Sequence, residues 1–234
     1  MNNLTFLTKD EYLEITKKYE GGHWTSETVD SRWDYHYRTI ELIKSLNVRN
    51  PNEVLEMGTM GVSCVNGSDT IDYSERWDFP GKKPNYIHDA RSLPWPVKDK
   101  QYEIFVALRV YQHLTPYQKE CTLEAARIAK KVIIIVPAIY INKVLPDSKG
   151  ITYKDFTGFL GGVHPNLYIP TAHGYLYYWD TENPSKVNLE QVMEHIAVAK
   201  SGTEDKKNIV NSYEIPFSDM IKLLFKKIKR KISI

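Results

Sequence analysis

The sequence predicts an α/β protein built on a Rossmann-like, mostly parallel sheet flanked by helices, with an N-terminal helical lid and C-terminal insertions. Three observations carry this. Short apolar runs of strand type recur at residues 53–56, 101–108 and 131–137. The last is β-branched and continuously apolar up to Pro137, as a central parallel strand covered on both faces must be. Between these runs lies a glycine turn, Gly58-Thr59-Met60-Gly61, and two further short strands each lead to a carboxylate, Asp72 and Asp89.

Taken in order, Thr8-Lys9-Asp10-Glu11 is a helix start, and residues 31–46 carry apolar and aromatic residues at helical spacing. The stretch Tyr19-Glu20-Gly21-Gly22-His23-Trp24 between them is a glycine-rich loop. Trp24, Arg32, Trp33, Tyr35, His36 and Tyr37 are candidates to line a lid of the kind the resemblance given below implies, and Trp33 and Tyr37 read first as packing aromatics. The run Val54-Leu55-Glu56-Met57 then opens into the glycine turn. Glycine permits positive φ and a close approach of ligand to backbone. An acid at the tip of the next strand, Asp72, is placed to accept hydrogen bonds from a ribose diol. These features predict an adenosine-like ligand at the carboxyl ends of the strands.

Residues 62–68 leave no room for a helix between the first two strands, whereas a parallel crossover usually takes a dozen residues or more. The second strand is therefore reached by a compressed connection, or it does not pair in parallel with the first. Further on, the segment after residues 101–108 reads Arg109-Val110-Tyr111-Gln112-His113-Leu114, followed by a helix over 116–130. Beyond Pro137 the chain is read as loop-rich through 153–162, and Tyr175-Leu176-Tyr177-Tyr178-Trp179 as an antiparallel edge strand. The density of tyrosine and histidine there suits a pocket for a polar small molecule.

A chain of 234 residues and 27.2 kDa accommodates one such domain with appendages. Its formal charge of +2 does not argue for nucleic acid. Cys64 and Cys121 have no metal-ligand spacing, which agrees with a reducing cytoplasm and no metal. The start of the chain carries no secretory pattern. At the other end, Ile221, Leu224, Phe225, Ile228 and Ile232 share one helical face, with lysines and Arg230 on the other. A basic amphipathic helix of this kind lies on an anionic membrane surface or docks on its own protein.

The order "VLEMGTMG", "DTIDYS", "HDARSLPWP", "YEIFVALRVYQHL" and "KVIIIVP" resembles the core of class I S-adenosylmethionine-dependent methyltransferases, the Rossmann-like type 11 branch, over roughly a third of the chain. The usual third glycine is absent. The resemblance implies S-adenosylmethionine as cofactor, with Glu56, Gly58 and Gly61 beside its methionine part. Asp72 would then hold the ribose hydroxyls, and Asp89 with Ala90 the adenine amino end. Arg109 to Leu114 would face the methyl group and the acceptor. Arg109 is accordingly a further cofactor candidate and His113 a candidate base for methyl transfer to oxygen, since imidazole titrates near neutrality. Trp24, Tyr111, His164, His173 and Tyr175 are the substrate candidates.

The expected division is N-terminal helices over 1–50, a cofactor core over 51–140, remaining strands and specificity region over 141–218, and the basic tail over 219–234. The expected activity is methyl transfer to oxygen or nitrogen of a small polar acceptor, with a sugar, a nucleotide-linked compound or a surface-polysaccharide intermediate preferred. No nucleic-acid partner is expected. The expected location is cytoplasmic, either free or peripheral at the inner face of a membrane through the tail. Alternatives are a methyltransferase-like scaffold that has lost its cofactor, a nucleotide-sugar or nicotinamide enzyme on a related sheet, and RNA methylation.

Overall fold

The computed structural model describes residues 4–18, 26–73, 83–139 and 147–190. In chain order these form α1 (Lys9–Lys17), α2 (Ser26–Lys44), β1 (Val54–Met57), β2 (Asp69–Asp72), β3 (Tyr86–Ile87) and β4 (Tyr102–Leu108). There follow α3 (Gln118–Ile128), β5 (Ala129–Val136), α4 (Tyr153–Phe159), β6 (Leu167–Thr171) and β7 (Gly174–Asp180). The strands make one seven-stranded sheet in the order β3-β2-β1-β4-β5-β7-β6. The first five in that order are parallel, and β7 runs antiparallel to both of its neighbours. This is the α/β, Rossmann-like sheet expected. It brings the carboxyl ends of β1, β2, β3 and β4 to one edge, where open α/β sheets bind ligands.

Local chemistry explains the elements. Helix α1 begins with a reciprocal capping box. Thr8 Oγ1 accepts from the Glu11 N–H at 3.2 Å, and Glu11 Oε2 accepts from the Thr8 N–H at 2.7 Å. Those bonds hold the Glu11 carboxyl below the usual carboxylate range. Strand β1 is buried along all four residues, and β5 is buried from Val132 to Val136, so neither has a face left for water. Helix α3 lies against β4 and β5 and touches α4. It is shorter than its apolar pattern suggests, because Ala129 is already in the sheet opposite Tyr102.

The compressed link resolves as a true parallel pairing. Leu55, Glu56 and Met57 align with Asp69, Thr70 and Ile71, and the connecting loop contains no helix. Glu56 stands in for the missing helix. Its carboxylate, 2% exposed, accepts from Cys64 N–H at 2.7 Å, Val65 N–H at 2.9 Å and Ser68 Oγ at 2.8 Å. The N-terminal strand segment closes the loop from outside. Phe6 bridges Val65, Leu7 N–H donates to Cys64 O at 3.0 Å, and Asn66 N–H donates to Thr5 O at 3.0 Å.

Two expectations are corrected. Strand β7 is interior, clamped between β5 and β6, so the edge belongs to Leu167–Thr171, where Pro170 limits pairing from outside. The stretch 153–162 is not only loop: Thr152 caps α4 with a capping box onto Asp155. Helix α4 then packs on the hairpin through rings. Phe156 stacks on Tyr177 at 4.4 Å, Tyr153 meets Tyr168 at 4.8 Å, and Tyr168 stacks on Tyr175 at 4.8 Å. The tyrosine density of this region is therefore spent largely on packing. Among the described residues no helix is long and apolar enough to cross a membrane. The expected basic helix at 219–234 lies outside the described residues.

Candidate functional site

A cavity of about 540 Å³ opens at the carboxyl ends of β1 to β4, within the size range of small-molecule sites. Its floor is apolar, formed by Met57, Ile71, Val106, Leu108 and Val110, and its rim carries the carboxylates and cations. Each wall follows from a strand end.

The first wall is the glycine turn. Gly58 has φ +63°, and a Cβ there would sit 2.6 Å from Val110 Cγ2. The position therefore requires glycine on two counts, conformation and space. Gly61 has φ +80° and Met60 has φ +50°, so the turn curls tightly and keeps its backbone against the cavity. The Glu56 carboxylate borders the cavity but points into the 64–68 loop. Burial pushes it above its usual range against the pull of three donors. The geometry gives it the task of shaping this wall.

The second wall is the end of β2. Asp72 lines the cavity, accepts from Tyr73 N–H at 2.8 Å, and is pushed up by partial burial. Next to it, at the end of β3, stand His88, Asp89, Ala90 and Arg91. The Ala90 carbonyl is fixed by the buried Trp95 indole at 2.8 Å and by Cys121 Sγ at 3.2 Å. Asp89 is held by Arg91, whose backbone N–H donates at 3.0 Å and whose guanidinium binds both carboxylate oxygens, Nη2 at 2.8 Å. That pairing keeps the Asp89 carboxyl below its usual range.

The third wall follows β4. Arg109, a non-glycine residue at φ +63°, lines the cavity and donates from Nη1 to the His173 carbonyl. His113 lies beside it. The Gln112 amide nitrogen donates to Arg109 O and, at 3.0 Å, to His113 Nε2. The imidazole proton is thereby assigned to Nδ1, which donates to Ser148 Oγ at 2.8 Å. Burial, aided by the Arg109 charge, lowers the His113 pKa, so the ring is neutral at pH 7. A neutral imidazole with its lone pair on Nε2 has the form of a base, and the Gln112 amide must turn aside before it takes a proton.

Helix α2 forms the lid wall through Tyr35 and His36, which stack on each other at 4.5 Å. His36 Nδ1 donates to Arg32 O at 3.0 Å, and complete burial brings its pKa down to about 4. The same helix is clasped to the β6–β7 turn. Asp34 accepts from Ala172 N–H at 2.9 Å and from Arg38 Nε at 2.8 Å, while His173 Nε2 meets Ser31 Oγ at 2.7 Å. Trp33 and Tyr37 pack against each other away from the cavity, 6.5 Å between rings.

The cavity thus brings together Glu56, Gly58, Asp72, Asp89, Ala90, Arg109 and His113. Gly61 closes the turn beside them without lining the cavity. His173 reaches it through its carbonyl on Arg109. Three substrate candidates are placed elsewhere. Tyr111 is completely buried with its hydroxyl donating to Cys121 O at 3.0 Å, because the turn after Val110 sends it under α3. His164 pairs with the Tyr153 hydroxyl at 3.1 Å on the α4 side, and Tyr175 belongs to the tyrosine stack. Trp24 lies outside the described residues. Arg91 and Ser148 complete the site beyond the residues the sequence points to, the cation two residues after Asp89 being the only sequence signal for the first. Among the described residues no group of three His, Cys, Asp or Glu side chains is placed to hold a metal.

No protein-family model matches the chain, and no curated protein matches it in sequence. Solved structures do match. A SAM-dependent methyltransferase from Aquifex aeolicus is 14% identical, covering 74% of this chain and 96% of that one, with TM-score 0.44. Magnesium protoporphyrin IX methyltransferase from Synechocystis PCC 6803, crystallised with bound SAM, is 17% identical over 72% of this chain and 88% of its own, with TM-score 0.43. A protein from Pyrococcus horikoshii OT3 is 16% identical over 75% and 99%, with TM-score 0.48.

Proposed function

We propose that the chain is an S-adenosylmethionine-dependent methyltransferase. The observation that supports this best is the pairing, in one cavity, of a turn whose Gly58 has positive φ and bare backbone against Val110 with the Asp72 carboxylate at the neighbouring strand end. The residues present fit an adenosine-bearing cofactor. Asp72 is an acceptor for two adjacent hydroxyls, the Gly58 turn admits a ligand against bare backbone, and Met57, Ile71 and Val106 offer an apolar bed. When bound, such a cofactor supplies an electrophilic methyl group on a sulfonium. The protein's own work is to hold and dry the reactants. Arg109 and His113 face the same space, and Tyr35 and His36 cover it. Positioning in a water-poor cleft supplies most of the rate in reactions of this kind.

The acceptor is a small polar molecule methylated on oxygen or nitrogen, and a sugar, nucleotide-linked or surface-polysaccharide intermediate is our preferred class. His113, neutral and beside Arg109, would serve an oxygen acceptor as base once Gln112 releases it. We place the enzyme in the cytoplasm, touching the inner face of the membrane through residues 219–234. Titration calorimetry with S-adenosylmethionine and S-adenosylhomocysteine tests the cofactor. Micromolar binding, about −8 kcal/mol, that Asp72→Ala abolishes is expected. Absence of binding in the unaltered protein would hand the lead to a cofactor-free scaffold. Label transfer from the methyl group into a nucleotide-sugar or lipid-linked sugar pool tests the acceptor class.

A further inference from the structure

In doubly wound sheets the group on the 5′ carbon lies at the glycine turn after the first strand, and the acid after the second takes the ribose. A nucleoside seated this way on Gly58 and Asp72 sends its base outward, over the end of β3. The side chains waiting there are Asp89 and Arg91, and both line the cavity. They do not wait separately. Arg91 grips Asp89 through Nε at 3.0 and 3.3 Å, through Nη2 at 2.8 Å and through its own backbone N–H at 3.0 Å. Both lone-pair directions of Oδ1 are used by Arg91, and Oδ2 already accepts from two of its nitrogens. A carboxylate so occupied is poorly placed to accept from a base amino group, while the guanidinium that covers it is a donor-only surface.

We propose that Arg91 sets the base selectivity of this cavity. Pinned on Asp89, it withdraws the carboxylate from the ligand and turns an acceptor site into a donor site. A purine bearing a 6-oxo group then finds a partner where a 6-amino group finds none. The assignment rests on the cofactor reading above and sharpens it: the site takes an adenosyl ligand with little preference for the adenine amino group. Tyr73, on the same wall and near enough for its phenol to act on the Arg91 charge, gives the base a ring to lie against without reading its edge. The loop itself stays in place without Arg91, since Trp95 and Cys121 hold the Ala90 carbonyl independently. The ion pair is partly open to water, 45% and 30% exposed, so cutting it leaves the fold intact.

The experiment is calorimetry of the whole protein with S-adenosylhomocysteine and with S-inosylhomocysteine, which carries a 6-oxo group in place of the 6-amino. In the unaltered protein the 6-oxo ligand should bind at least as tightly as the adenine ligand. In Arg91→Ala the freed Asp89 carboxylate should accept from the amino group, and the ratio should move toward the adenine ligand by about tenfold or more, the scale of one hydrogen bond to a charged partner. Arg91→Ala/Asp89→Asn should return it to near parity. An adenine preference above about tenfold in the unaltered protein that Arg91→Ala leaves in place would overturn the assignment while sparing the cofactor reading. If neither ligand binds any of the variants, the cofactor reading itself fails, and the Arg91 assignment with it.

Discussion

Glu56→Gln is the sharpest test of how the site is built. The substitution keeps volume and shape but exchanges one acceptor oxygen for a donor amide. Glu56 has three donors to satisfy: two loop N–H groups and the Ser68 hydroxyl. With the amide oxygen at the Oε1 position, Val65 N–H and Ser68 keep an acceptor, and the new NH2 faces the Cys64 N–H. A buried N–H left unmet costs about 1–3 kcal/mol, and the two surviving bonds drop from charged to neutral strength, roughly 1 kcal/mol each. Against this, a neutral amide escapes the burial penalty that pushes the Glu56 carboxyl up. The losses come to about 3–5 kcal/mol and relief of the burial penalty offsets part of them, leaving a net loss of at least about 1–2 kcal/mol. Urea unfolding measures it, and amide exchange locates it: Cys64 should lose protection more than residues of β5 do. A variant within about 0.5 kcal/mol of the unaltered protein, with Cys64 exchange unchanged, would refute the clamp.

Other substitutions probe the remaining walls. Gly58→Ala must hold a left-handed conformation worth about 1–2 kcal/mol and displace Val110, whose Cγ2 lies 2.6 Å from the added carbon; Gly58→Ala/Val110→Ala should recover the second part and not the first, as read by urea midpoints. His36 takes a proton near 6.5 when unfolded but only near 4 when folded, so the unfolded state binds more protons between these values and stability falls as pH drops from 7 to 4. That contribution is about 3 kcal/mol, and His36→Gln, which can still donate to Arg32 O, should flatten that part of the pH profile. His173→Ala removes the contact to Ser31 and should raise hydrogen exchange in α2 while costing about 1 kcal/mol of global stability; unchanged exchange there would show that the clasp is carried by Asp34 alone.

Much of this is legible in the amino-acid sequence. Apolar runs with β-branched residues mark β4 and β5, because a parallel strand covered on both faces has no place for polar side chains, while Asp72 and Asp89 are marked only as carboxylates at or just past the ends of two short, half-buried strands. The expected place of β7 was wrong because alternation along Tyr175 to Trp179 describes one covered face but cannot say how many neighbours the strand has. Tyr111 and His113 illustrate the site's limit. They are two residues apart in a single tight turn, and only the turn's geometry decides that one is buried under α3 and the other faces the cavity. The Arg91–Asp89 grip was hidden for the opposite reason: nearby opposite charges are common at surfaces, and nothing in their spacing marks a pair that shares a cavity wall.

The shortened link between β1 and β2 also narrows what the cavity accepts. In dinucleotide folds the glycine turn runs into a helix whose first N–H groups and dipole hold a phosphate. Here no helix follows the turn, and the N–H groups of Cys64 and Val65 are turned onto Glu56 instead. The cavity rim adds two carboxylates, Asp72 and Asp89. A pyrophosphate at the turn would meet no helix dipole and no N–H from Cys64 or Val65, and it would lie beside the Asp72 carboxylate with Arg91 already engaged by Asp89. A cofactor whose 5′ side bears a sulfonium and an amino acid has no such requirement. Thermal shift measurements should therefore show stabilisation by S-adenosylhomocysteine and none by NAD at equal concentration. Each ligand stabilises by the logarithm of its concentration over its dissociation constant, so at 100 times that constant the effect is about 2.7 kcal/mol, several degrees for a domain of this size. A shift with NAD equal to that with the adenosyl ligand would mean that the missing helix does not exclude phosphates, and the nicotinamide reading would regain its standing.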